Sequence, residues 1–322
     1  MQYTTLGQGD EKVSNLCLGC MYFGTSISSK QSFKLLDDYK IEGGNFLDTA
    51  NCYSFWVEGY KGGESEVVLG NWLNKRNNRN KMFVATKVGV NMPPKVPISL
   101  SSSVIIEQCE ASLRRLKTDY IDLFYAHPDH RSVPLEETLE ALNDLVKQGK
   151  VRFIGCNNTL AWRIAKAAAI SRQNGWAEYC CVQQRHSYLR QKSGILRFSN
   201  GQVPTNPDLL DYAKQNPNFK IVAYSTLLGG VYSHRQNTIA DNYQPDEYDV
   251  ADKKARLKVL KKVAFEQKAT PNQIVLAWIV QSRPQMVALV SSSSQKRLAE
   301  SLDSDKIKLT ERQIEQLNKA SG

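Results

Sequence analysis

Tyr120-Ile121-Asp122-Leu123-Phe124-Tyr125-Ala126-His127 is an apolar run, and Val151-Arg152-Phe153-Ile154-Gly155-Cys156 is a second one. Between them Leu135, Leu139, Leu142 and Val146 recur at helical spacing behind Pro134, a good helix start. Gln148-Gly149 then closes that helix, because glycine takes the left-handed conformation at no steric cost. The stretch therefore reads strand, helix, strand. The same unit recurs outward in both directions. Ile106, Cys109, Leu113 and Leu116 form a helical face before Tyr120, and Gly43-Gly44 ends another helix. The remaining apolar runs are 15–19, 45–50, 82–87, 180–183, 219–224 and 285–290, which makes eight. Eight short strands alternating with helices imply crossover connections and a parallel sheet. That number favours a closed (β/α)8 barrel over an open doubly wound sheet.

Length alone, 322 residues, would allow two domains. A closed barrel takes roughly 250 residues or more as one unit, so a single barrel domain over 1–322 is expected. With 41% hydrophobic residues the chain has material for a large core, which excludes a disordered polymer or a small disulfide scaffold. The longest apolar run, Ile274 to Val280, has seven residues, against roughly 18 for a membrane span. Met1-Gln2-Tyr3-Thr4-Thr5 is polar and lacks the apolar core of a secretory signal. A soluble, cytoplasmic protein is expected. Seven scattered cysteines lack metal-site spacing and read as reduced core residues, so no metal is expected. Net charge is +10, with dense basic stretches at 75–81 and 253–262. In the second, Leu257, Leu260 and Ala264 recur at helical spacing, so the lysines read as its wet side. Neither a nucleic-acid nor a membrane partner is expected, while an anionic small ligand remains compatible. Residues 191–207 and 229–252, rich in Gly, Ser, Asn, Pro and Asp, read as long loops on one face of the barrel.

In a parallel barrel the active residues stand where the strands end. The polar residues there are Asp48, Lys87, His127, Asn157-Asn158, Gln183, Ser225 and Ser291 to Ser294. Charges inside apolar strands are costly unless paired or functional. Asp48 and Lys87 fall on neighbouring strands and are expected to pair; Tyr53 follows Asp48 by five residues. Taken singly, each has an ordinary reading: a salt bridge, a solvated lysine, a packing aromatic, a turn histidine.

The motifs then resemble those of the aldo-keto reductases. The resemblance runs through Phe46-Leu47-Asp48-Thr49-Ala50-Asn51-Cys52-Tyr53, Gly63-Glu64-Ser65-Glu66, Ala85-Thr86-Lys87 and Ile121 to Asp129. It continues through Ile154 to Asn158, Ala223-Tyr224-Ser225 and Arg297 to Ser301, in order and over nearly the whole chain. It implies a barrel capped by an N-terminal hairpin, and reduction of an aldehyde or ketone by hydride from a nicotinamide. Its catalytic tetrad falls on Asp48, Tyr53, Lys87 and His127. A free tyrosine has a pKa near 10, so a neighbouring ammonium is expected to ease its proton loss, with Asp48 fixing and compensating the lysine. His127 would donate a hydrogen bond to the carbonyl, orienting and polarising it.

The resemblance also implies NADPH. Its contacts would come from Cys20, Met21, Asp48, Asn157, Asn158, Gln183, Ser225, Thr226 and Leu227, with His186 where the family has a stacking tyrosine. Ser291, Ser292 and Ser293 offer hydroxyls and backbone N–H groups ahead of a helix, a phosphate cradle. Arg297 matches an arginine for the adenosine 2′-phosphate, and Glu300 and Ser301 match adenine contacts. The substrate pocket would include Tyr22 and Trp56; Trp56 lies in an insertion between Tyr53 and Gly63. No long C-terminal loop follows the helix at 311–319, which suggests an open site for a sugar or small ketone. The alternative is a nicotinamide-binding regulatory barrel resembling potassium-channel β subunits.

Overall fold

The computed structural model describes residues 1–7, 9–90, 99–192, 194, 195, 201–233, 248 and 250–321. An antiparallel pair comes first, β1 (Tyr3–Thr5) with β2 (Lys12–Ser14). Eight parallel strands then close on themselves: β3 (Leu16–Gly19), β4 (Phe46–Asp48), β5 (Phe83–Val88), β6 (Ile121–Ala126), β7 (Val151–Asn157), β8 (Tyr179–Arg185), β9 (Lys220–Tyr224) and β10 (Met286–Val290). They coincide with the eight apolar runs, with ends shifted by a residue or two. The closed barrel and the N-terminal hairpin are thus as expected.

The outer layer comprises α1 (Ser29–Ile41), α2 (Glu64–Arg76), α3 (Ser102–Leu116), α4 (Leu135–Lys147), α5 (Ala161–Asn174) and α6 (Pro207–Gln215). It continues with α7 (Val250–Glu266), α8 (Pro271–Gln281), α9 (Gln295–Asp303) and α10 (Glu311–Lys319). Local chemistry sets the helix ends. Thr270 and Thr310 each make a reciprocal capping box with the glutamine three residues on, which satisfies two orphan N–H groups per helix. Among the described residues, 191, 192, 194, 195 and 201–206 are non-helical and α6 starts at Pro207, whereas Leu228–Gly230 forms a 3-10 turn and 250–252 belongs to α7; 193, 196–200, 234–247 and 249 lie outside the described residues. Among the described residues no helix is long and apolar enough to cross a membrane.

Strand side chains alternate between two cores. Cys17, Phe46, Ala85, Leu123, Tyr125, Cys181, Val222 and Val287 fill the barrel interior, joined from below by Leu6 and Val13 of the hairpin. Their neighbours Leu18, Leu47, Val84, Phe124, Val182 and Ile221 pack outward under the helices. This period of two decides where the polar residues go. Asp48 is two positions after Phe46, Lys87 two after Ala85, and Gln183 two after Cys181, so all three continue the inward rows at the C-terminal rim. At the opposite rim Asp122 takes the backbone N–H of Val84 at 2.9 Å and pairs with Arg79 and Arg152, each at 2.7 Å. Arg152 also reaches Glu11 between β1 and β2, so one guanidinium ties the hairpin to the barrel.

Candidate active site

Lys87 is fully buried, and its ammonium meets three acceptors. They are Asp48 Oδ1 at 2.5 Å, the Tyr53 hydroxyl at 2.7 Å and the Thr49 carbonyl at 2.7 Å. A buried ion pair is tolerated only when its remaining valences are filled, and here they are. Gln183 Nε2 donates to Asp48 Oδ2 at 2.7 Å, so both carboxylate oxygens are engaged. Tyr53 OH also lies 3.5 Å from Asp48 Oδ1. Pairing of β4 with β5 sets Asp48 opposite Ala85, which leaves Lys87 one inward step higher, at the level of Thr49 and Tyr53. The expected pairing of Asp48 with Lys87 is present.

Burial first, and then the negative charge of Asp48, hold the Tyr53 phenol well above the usual value. The expectation that Lys87 would ease its proton loss is offset here, because the ammonium faces the carboxylate as closely as it faces the phenol. The phenol stays protonated, which is the form a proton donor needs. Burial also pushes the Asp48 carboxyl up, while Lys87 and Gln183 act in the opposite sense. His127 follows β6, its backbone N–H bonded to the Val88 carbonyl at 2.7 Å. Burial, reinforced by the charge of Lys87, lowers its imidazole to about 3. His127 is therefore a neutral ring that offers one N–H. Gly89 makes this approach feasible: at φ +127°, a Cβ there would lie 2.2 Å from the His127 carbonyl oxygen.

The motif Gly63-Glu64-Ser65-Glu66 positions the site from behind. Ser65 Oγ donates to the Cys20 carbonyl at 2.7 Å and accepts from Thr49 at 2.8 Å. Buried Glu66 accepts from Thr86 at 2.6 Å and pairs with Arg115 at 2.6 Å. Two of its residues thus hold the side chains of Thr49 and Thr86, the chain neighbours of Asp48 and Lys87.

Along the rim, Asn157 donates to the Gln183 carbonyl at 3.1 Å and accepts from Asn158 Nδ2 at 2.8 Å. Asn158, at φ +51°, accepts through Oδ1 from the Val203 N–H at 3.0 Å and from the Tyr224 hydroxyl at 2.7 Å. Asn157, Asn158, Gln183 and Asp48 thus form one continuous amide–carboxylate row. His186 is differently placed. Its ring stacks on Trp278, with centroids 5.5 Å apart and planes at 19°, and burial lowers it to about 4. The aromatic joined to the row is Tyr224, at the end of β9, a residue to which the sequence alone assigns no role. Its signal lies in Ala223-Tyr224-Ser225, one of the matched motifs.

Ser225, at φ +53°, Thr226 and Leu227 form the turn after β9. Thr226 donates to the Leu289 carbonyl at 3.0 Å, tying that turn to β10. Cys20 is fully buried, its backbone N–H on the Asp48 carbonyl at 2.9 Å, whereas Met21 is half-buried. Beyond β10, Ser291 and Ser293 are exposed, and Ser292 is buried with its hydroxyl on the Ser294 carbonyl at 2.7 Å. Ser294 caps α9 by accepting from the Arg297 N–H. The exposed Arg297 guanidinium lies 3.3 Å from Ser293 Oγ. Glu300 accepts from Thr270 at 2.7 Å, and Ser301 is buried, so these two are held by the protein itself.

Tyr22 is 37% and Trp56 50% exposed. Trp56 meets Tyr53 edge-on, with centroids 6.5 Å apart. Ser54, at φ +70°, donates to the Met21 carbonyl at 3.0 Å and ties the insertion to the segment carrying Tyr22. Among the described residues no group of three or more His, Cys, Asp or Glu side chains gathers as a metal site.

The sequence profile of the Aldo/keto reductase family matches residues 15–321. The chain belongs to that family. It is 29% identical to an aldo-keto reductase of Strobilurus tenacellus, with 97% of this chain and 90% of that protein covered. It is 27% identical to an aryl-alcohol dehydrogenase of Pestalotiopsis microspora, covering 96% and 79% respectively. Over 53% of the chain it is 38% identical to norsolorinic acid reductase B of Aspergillus parasiticus, of which 47% is covered. Among solved structures, the thermostable aldo-keto reductase Tm1743, crystallised with the inhibitor epalrestat, superposes with a TM-score of 0.77 at 25% identity, with both chains fully covered. As an aldo/keto reductase the chain is an oxidoreductase, of a family that generally uses NAD(P)H.

Proposed function

We propose that this aldo/keto reductase reduces an aldehyde or ketone to an alcohol with NADPH, with Tyr53 as the proton donor. One observation carries the reading: a buried lysine, Lys87, holds Asp48 and the Tyr53 hydroxyl within 2.7 Å at the open rim of the barrel. The rim also fits the cofactor. The amide row of Asn157, Asn158 and Gln183 has the donor and acceptor chemistry that a carboxamide needs. Asn157 acts within it as a positioning residue for its two neighbours, and Tyr224 rather than His186 is the aromatic beside the row. The exposed Arg297, Ser293 and the N-terminus of α9 suit the phosphates. When bound, NADPH supplies the hydride to the carbonyl carbon.

The chain's own residues do the rest. His127 donates its N–H to the carbonyl oxygen, orienting it and favouring the charge that develops there. Tyr53 passes its proton to that oxygen, and Lys87 and Asp48 hold the phenol at the required point. The exposed face of Trp56 beside Tyr53, with exposed Tyr22 on the segment that Ser54 ties to the insertion, suits a carbonyl carried on a flat ring, with aryl aldehydes and ketones first. Relatives named aryl-alcohol dehydrogenase and norsolorinic acid reductase support that class over small ketones.

Oxidation of NADPH and of NADH is followed with a panel of aryl, sugar and small aliphatic carbonyls. Tyr53→Phe should lower kcat by roughly a hundred-fold or more, as expected when a general acid is lost, with its melting temperature retained. Absence of turnover by the unmodified protein across the panel, or full turnover by the variant, would sink the reading. Arg297→Ala should raise KM for NADPH by about ten-fold or more and leave NADH nearly unaffected, as loss of a charge-assisted phosphate contact requires. Equal effects on both cofactors would count against the 2′-phosphate role.

A further inference from the structure

In the outer layer, helix α7 packs on α8 and α10. Its inner side is ordinary: Leu260, Val263 and Ala264 are buried. Arg256 is buried too, paired with Asp252 at 2.8 Å and 5.4 Å from the Tyr188 ring centroid. The outer side is not. Lys254, Lys258, Lys261 and Phe265 follow one another at spacings of four, three and four, so they form a single row along the helix, and all are exposed. Lys262 flanks the row, Lys268 ends the turn beyond it, and the Lys308 carbonyl takes Gln267 Nε2 from alongside at 3.3 Å.

Phe265 is 85% exposed, more than any other large apolar side chain described. A solvated lysine face needs no phenylalanine in its midst. The acidic residues of α7 do not neutralise the row. Asp252 serves Arg256, and Glu266 accepts from Gln313 at 3.0 Å and reaches Lys262 at 4.0 Å. Among the described residues Lys254, Lys258, Lys261 and Lys268 form no ion pair. A lysine row around one protruding aromatic therefore faces solvent, in a protein of net charge +10.

We propose that the outer face of α7 docks on an anionic phospholipid surface, with Phe265 entering the headgroup layer and the lysines facing the acidic headgroups. Charge complementarity decides the occupant. A second copy of the chain would bring two like-charged rows together. Nucleic acid is usually gripped by arginine forks and several stacking rings, whereas this row holds lysines and a single ring. Lysine point charges around an inserted aromatic suit a bilayer interface. The expectation of no membrane partner rested on the lack of a spanning segment, which does not bear on surface docking.

Co-sedimentation of the full chain is measured with phosphatidylcholine vesicles, with vesicles that also contain phosphatidylserine, and at low and high salt. Binding should need phosphatidylserine and weaken with salt. Lys258→Glu with Lys261→Glu, and separately Phe265→Ala, should each lower it by about ten-fold or more. Carbonyl reduction by Phe265→Ala should be unchanged. In Phe265→Trp the new indole emission should shift to the blue with the anionic vesicles only. Lack of binding at low salt overturns the proposal. So does vesicle binding that survives the lysine changes, because another surface then carries it. Binding indifferent to Phe265→Ala, or equal retention of a short DNA duplex by both forms, means a general polyanion face and overturns it as well.

Discussion

His127 and Tyr53 share one physical device: each is held by burial in its uncharged form. The imidazole is lowered to about 3 and the phenol is raised well above its ordinary value. The direction of each shift determines the pH dependence. Above about pH 3 His127 is neutral, and below the raised phenol value Tyr53 keeps its proton. Both are then in the form that reduction uses across the whole neutral range. The kcat for carbonyl reduction should be level from about pH 5 to 8, with no inflection near the free-histidine value of about 6.5. Alcohol oxidation, which needs the phenolate, should rise towards high pH instead. A reduction profile that falls through pH 6.5 would show that His127 titrates as a free imidazole. Asp48, Lys87 and His127 were legible as polar groups that end apolar runs, where they are costly unless paired or functional, whereas Tyr53 and the grouping of all four came from the resemblance of the motifs. The protonation states were not legible. They come from burial and from the match between Lys87 and Asp48, which only the packed rim reveals.

Between β5 and β6 a single glycine carries much of the site's geometry. Gly89 has φ +127°, and a Cβ on it would lie 2.2 Å from the carbonyl oxygen of His127. Gly89→Ala must either shift the His127 backbone or lift the end of β5 away from it. An ångström of misplacement at a reacting centre costs on the order of a hundred-fold in rate. The variant should therefore lose roughly that factor in kcat and remain folded, with a lowered melting temperature. Gly149→Ala is the control. That glycine also has positive φ, but nothing lies within 4 Å of its Cβ position, so stability should fall with kcat intact. Equal kcat in the two variants would remove the special role of Gly89. At this scale the strands and helices were legible from their periods of two and four, and the inward rows followed. The long connections were not. The resemblance implies a stacking role on the cofactor for His186, and nothing in the sequence pointed to Trp278, on which the ring stacks. A loop carries no period that says which way its side chains point.

Across the molecule, layering follows from the alternation of apolar residues, and the seven buried cysteines fit the same pattern without disulfides. The charge is only partly absorbed: Arg297 has a proposed ligand at the rim, and the α7 lysines have a proposed partner outside it. Folding also leaves a signature in acid. His127 and His186 are held neutral, at about 3 and about 4. In the unfolded chain each would bind a proton near pH 6.5. Between those values the unfolded state holds more protons than the native one, so stability falls as pH falls. It is fully present above about pH 6.5, and below that each histidine removes up to about 1.4 kcal/mol per pH unit. The raised Asp48 carboxyl acts in the opposite sense, because its native form takes up a proton more readily than the unfolded one. Urea unfolding from pH 6.5 down to about 5 should therefore show a slope approaching two protons, less the share of Asp48. His186→Phe keeps a ring against Trp278, leaves the tetrad untouched and removes one of the two protons, so it should roughly halve that slope. An unchanged slope would mean that His186 is not held neutral by its burial, and the stacked, desolvated ring beside Trp278 would have to be abandoned with it.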